Sequence, residues 1–97
     1  MLTTFEGRFI DPTFLGECVQ KVLAAGKYVP SVLILSEDDF QGIIWAISMH
    51  GYNYHIINNY KKLGINRVVW AEDVEDGDFL LSSGAGLDPS VETIIFK

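Results

Sequence analysis

The chain has 97 residues, 48% of them hydrophobic and 21% charged, with a formal charge of −6, which fits one domain over residues 1–97 with a modest core. An isoelectric point near 4.6 sets it against nucleic acid and anionic membrane, and its seven Lys and Arg are scattered rather than gathered into a patch. A mean hydropathy of +0.21 is high for so small a chain, so part of its apolar surface is expected to meet a partner.

The opening segment, MLTTFEGRFI, has neither a basic leader region nor a continuous apolar run. No stretch approaches the roughly 20 apolar residues of a membrane span, so a cytoplasmic or virion location is expected. Thr3 to Ile10 alternate loosely and suit an edge strand or an arm. Asp11-Pro12 marks a helix start, because Asp caps the first turn and Pro is preset for its first position. That helix is predicted over Pro12 to Ala25, with Leu15, Cys18, Val19, Val22 and Leu23 on one face and Glu17, Gln20 and Lys21 on the other. Gly26 is its stop. Cys18 is the single cysteine, so no intrachain disulfide can form, and on an apolar face it is expected to be a buried, inert thiol.

Ser31 to Gly51, SVLILSEDDFQGIIWAISMHG, is the stretch around which the rest is organised. Val32 to Leu35 form an apolar, β-prone run too short for a helix, as in a strand covered on both faces. Ser36 is a helix N-cap whose hydroxyl can accept from the Asp39 N–H while the Asp39 carboxylate reaches back. Glu37 and Asp38 add negative charge at the positive end of the helix. The helix is predicted over Glu37 to His50, with Phe40, Ile43, Ile44 and Ile47 on one face and Trp45, Ala46 and Met49 flanking it. That arc is wider than a surface helix needs, so the helix is expected to be central or covered by another chain. Gly51 closes it in a left-handed conformation.

Tyr52 to Leu63 fit a strand and a short helix equally, and are read as a connection with little regular structure. Arg67 to Ala71 form a strand, Val74 to Asp78 hold an acidic turn around Gly77, and Phe79 to Ser82 return as a second strand. Ser83 to Pro89 form a loop, and Val91 to Phe96 a last strand. The fold class expected is α/β (α+β), a single domain with a mixed sheet of about four or five strands and two principal helices.

No catalytic, cofactor or metal site is predicted. The run from Glu72 to Asp78 is dense in carboxylates, but it lacks the alternation and distal glutamate of a calcium loop, and its residues are ordinary turn formers. His50 and His55 share no helix face. Gly84-Ala85-Gly86 has no Lys-Ser/Thr after it to make a phosphate cradle. Trp45, Tyr52, Tyr54, Tyr60 and Trp70 are read as core or interface packing, with Trp45, Met49, Tyr52 and Tyr54 as the candidate interface.

The segments FIDPTFLGECVQKVLAAGKYVPSVLILSEDDFQGI and KKLGINRVVWAEDVEDGDFLL together resemble the apical-domain part of the major capsid proteins of tailed phages, the Hong Kong type fold shared with encapsulins, in reduced form. The likeness rests on Leu33 to Asp39, Leu63-Gly64 with Val68-Val69, and Asp73-Val74 with Gly77 and Phe79 to Leu81. It implies a non-enzymatic, capsid-like structural protein that self-associates around a symmetry axis as a homo-oligomer. The alternative is a small acidic inhibitor or regulator, such as a phage encodes, that binds a basic site on another protein.

Overall fold

A computed structural model describes residues 2–6, 12–26, 28–51, 55–84 and 93–95, with side chains described for most of them. The elements in order are β1 (Leu2–Glu6), α1 (Pro12–Ala25), β2 (Val32–Leu35), α2 (Glu37–His50), α3 (His55–Lys62), β3 (Arg67–Trp70), β4 (Asp78–Ser82) and β5 (Thr93–Ile95). The chain is thus a mixed α+β fold.

β2 lies at the centre because its four residues, Val-Leu-Ile-Leu, are all buried and leave neither face for water. A strand of this kind needs both edges paired as well. β3 runs parallel along one edge, with Leu33 opposite Val68 and Ile34 opposite Val69. β4 runs antiparallel along the other, with Leu33 opposite Leu81 and Leu35 opposite Phe79. β1 pairs outside β4 and β5 outside β3, giving the order β1-β4-β2-β3-β5. Parallel neighbours cannot be joined by a tight turn, and α2 with α3 supplies the crossover between β2 and β3.

Alternation along the strands divides the apolar side chains into two sets. Leu33, Leu35, Val68, Phe79 and Leu81 face the helices and pack with Leu15, Cys18, Val19 and Val22 of α1, Phe40 and Ile43 of α2, and Ile57 and Tyr60 of α3. Val32, Ile34 and Val69 form a second buried cluster on the other face, against which Ala71, Val74 and Leu80 pack.

Several expectations need correction. The segment after Gly51 contains α3. Its residues Ile57 and Tyr60 are three apart and both about 1% exposed, so burial of one helical face decides a pattern that was ambiguous locally. Among the described residues three helices therefore pack on the sheet, where two principal ones were expected. The strands on either side of the acidic turn do not pair with each other, since β2 lies between them. Leu23 is 40% exposed and stands outside the α1 core. Gly51 does have a positive φ of 75°, but its ψ of −179° lies outside the left-handed helical well; its N–H donates to the Ile47 carbonyl at 2.7 Å.

The cap of α2 forms as predicted in one direction. Ser36 is extended, and its Oγ accepts from the Asp39 N–H at 3.1 Å. Ser36 as a residue is buried, at 3% exposure, so replacement leaves the amide without this acceptor. Ser36→Ala is expected to lower stability by about 1 kcal/mol, read as a shifted urea midpoint at constant slope.

Candidate functional site

The return of the chain from β3 to β4 creates the first candidate site. These strands flank β2, so residues 71–77 must span two strand spacings, roughly 10 Å, across the C-terminal end of β2. That is where α2 begins. The crossing therefore sets Glu72 and Asp76 beside Glu37 and Asp38, two acidic groups 34 residues apart in sequence at their nearest, Asp38 to Glu72. Together with Ser36, Trp70 and Val74 they line an open cleft of about 280 Å³. A crevice beyond the carboxyl ends of parallel strands is a common place for a binding site in α/β sheets.

Besides a local turn bond from the Val74 N–H to the Ala71 carbonyl at 3.3 Å, three hydrogen bonds fix this crossing. The Ala71 N–H donates to the Leu35 carbonyl at 3.0 Å, and the Asp78 N–H to the Glu75 carbonyl at 3.0 Å. The third departs from expectation: the Asp39 carboxylate does not close a box on Ser36 but accepts from the Gly77 N–H at 2.8 Å. The acidic turn is thereby pinned to the first turn of α2. Gly77 has a φ of 89°, where a side chain is strained, although a Cβ there would touch nothing within 4 Å. Gly77→Ala is accordingly expected to cost about 1–2 kcal/mol from backbone strain alone, measured by chemical denaturation.

The four cleft carboxylates belong to exposed residues, and they can attract cationic groups of a partner. Trp70 forms one wall of the cleft, and its buried indole Nε1 has no hydrogen-bond partner. Among the described residues that line the cleft none is a reactive nucleophile, and the Ser36 hydroxyl serves the helix cap. Among the described residues, no group of three or more His, Cys, Asp or Glu could hold a metal ion.

The other residues singled out in the sequence scatter. Cys18 is buried at 2% exposure. Desolvation pushes its thiol pKa up, Lys21 opposes the rise and Glu17 adds to it, so the thiolate form is disfavoured. Tyr60 belongs to the core, where burial raises its hydroxyl well above the usual range and the Asp39 charge adds to the rise. Tyr52 and Tyr54 lie outside the described residues, as do the side chains of His50 and His55 and the backbone of Ala85 and Gly86.

The second candidate site is the outward side of α2. Trp45 is 64% exposed and Met49 61%. They sit four residues apart, on one ridge of the helix. Phe40 and Ile43 are buried on the opposite side, and Ile44, Ala46 and Ile47 are half-buried between the two. Exposed Gln41, Gly42 and Ser48 surround them without a charge, and exposed Asp38, seven residues before Trp45, ends the face at the first turn of the helix. Position and spacing of Trp45 and Met49 were evident in the sequence; the joining of the two acidic stretches was not, because it depends on strand order.

Among the described residues no helix is long and apolar enough to cross a membrane. No protein-family model matches the chain, and neither a curated protein nor a solved structure matches it significantly.

Proposed function

We propose that this chain is a non-enzymatic structural protein that self-associates through the outward side of α2, in keeping with the capsid-like succession of its segments. The exposure of Trp45 and Met49 carries the proposal. Single exposed apolar residues are ordinary on protein surfaces, but an indole and a thioether on a helical ridge that carries no formal charge from Phe40 onward resemble the centre of an interface. Aromatic residues and Met are enriched at such centres, and a few residues there, Trp prominent among them, carry most of the binding energy.

A Trp45→Glu change places a carboxylate at the middle of the surface. The variant is expected to keep its circular dichroism spectrum, since Trp45 contributes little to the core. Its mass by light scattering should fall to that of a single 10.8 kDa chain. An assembly left intact by Trp45→Glu, or a wild-type chain that stays monomeric at high concentration, would overturn the proposal.

The acidic cleft supports a second reading, an interaction protein that occupies a basic site on another protein. Glu37, Asp38, Glu72 and Asp76 around one cleft are the observation in its favour. Salt separates the two: a complex made through the carboxylates weakens as ionic strength rises, whereas contact through an uncharged apolar ridge does not.

A further inference from the structure

Gly42 lies inside α2, where glycine costs about 1 kcal/mol relative to alanine. Nothing among the described residues requires it. Its φ is not positive, and a Cβ built there would meet nothing within 4 Å. Gly16 of α1 differs, since its Cβ would touch the Leu63 Cδ2 at 3.5 Å. The open space above Gly42 leaves a strip of bare helix backbone on the outward face, three residues before Trp45 and seven before Met49. Those spacings keep all three on one ridge.

A projecting indole and an adjacent notch on one surface are self-complementary. In a twofold pair the Trp45 of each copy can enter the Gly42 notch of the other, because an isologous contact of residue i with j is repeated as j with i. Charge favours the same occupant. Between Asp39 and Lys61 no residue is formally charged at pH 7 with His neutral, while the whole chain carries −6. The nearest charge on this ridge is that of exposed Asp38, seven residues before Trp45, and an antiparallel partner centred between Gly42 and Trp45 sets it against the uncharged Met49 end of the other copy, not against a second carboxylate. Resting on the self-association proposed above, we infer that α2 forms a twofold, antiparallel contact with α2 of a second copy, with Gly42 as the socket for Trp45.

The test is light scattering over a concentration series on wild type, Trp45→Glu and Gly42→Gln, with circular dichroism and thermal unfolding for each. Glutamine is a good helix former and uncharged, so the Gly42→Gln monomer should fold at least as stably as wild type while its side chain fills the notch. The expected result is a wild-type particle of two chains, monomeric Trp45→Glu, and a dimer dissociation constant raised at least about tenfold in Gly42→Gln. Dimerisation unchanged in Gly42→Gln but lost in Trp45→Glu overturns the socket and leaves self-association through α2 standing. A particle of three or more chains overturns the twofold arrangement in the same way. A monomeric wild type, or a dimer unaffected by Trp45→Glu, overturns both. Should Gly42→Gln unfold, Gly42→Ala supplies the smaller step: a more stable helix with a weakened dimer supports the socket, and a dimer as tight as wild type refutes it.

Discussion

Phe79→Ala is expected to lower stability by about 3–5 kcal/mol. Phe79 is fully buried and stands where β4 meets β2, in register with Leu35 on one side and Phe5 on the other. Its ring meets Phe14 of α1 edge-on, with centroids 6.2 Å apart and planes at 87°, so it joins the helix layer to the sheet. Truncation removes the transfer energy of the ring and opens a cavity. It also removes an aromatic pair worth roughly 0.5–1.5 kcal/mol beyond its buried area. Against a domain stability of about 5–15 kcal/mol this is a large share. Urea titration should show a much lower midpoint with an unchanged slope. Phe79→Leu, which keeps more of the volume, should lose less than Phe79→Ala. Equal losses in the two variants would mean that the ring is not what joins the layers.

Much of this core was legible because it is local. The three-and-four spacing of Leu15, Cys18, Val19 and Val22 gives α1 its buried face, and the unbroken Val32 to Leu35 run gives a strand covered on both sides. Ser36 announces α2 by chemistry that acts within one turn. The mixed α+β class follows from these elements. Long-range pairing was less accessible. An acidic segment with Gly77 reads as a hairpin turn between its flanking strands, and only the need of β2 for partners on both edges places a third strand between them. The Asp39 carboxylate shows the same limit: a capping box is the nearest available role, yet the partner it takes is Gly77, 38 residues away. Leu23 fits the α1 stripe by spacing but sits at its margin, where the neighbouring layer no longer covers it.

The candidate surfaces divide along the same line. Trp45 and Met49 were visible as apolar residues in excess of what one helical face can bury, because helical periodicity alone assigns them outward. The cleft could not be seen this way. Its carboxylates lie in two stretches that each have an adequate local explanation, a helix start and a turn, and strand order alone makes them neighbours. Sequence reasoning finds a site made by one element more readily than a site made by the crossing of two.

The face of the sheet turned away from the helices should prove as intolerant of charge as the helix-facing side. Ile34 is 3% exposed there, between Val69 of β3 and Leu80 of β4 in register. Ile34→Val deletes one methylene and should cost about 0.5–1.5 kcal/mol. Ile34→Asp instead sets an ion among apolar neighbours, a loss on the order of the 3–5 kcal/mol found when a buried charge lacks a partner. The variant should therefore be largely unfolded at neutral pH, with collapsed amide dispersion in its NMR spectrum. Acid should partly restore it. Burial raises the carboxyl pKa in the folded state above the unfolded value of about 3.9, so the folded form binds the proton more tightly. Lowering the pH through the folded-state pKa then favours folding, and the penalty is greatest above that pKa. An Ile34→Asp protein that folds at pH 7 as well as Ile34→Ala, with no gain on acidification, would show that water reaches this face and that the sheet has one buried side, not two.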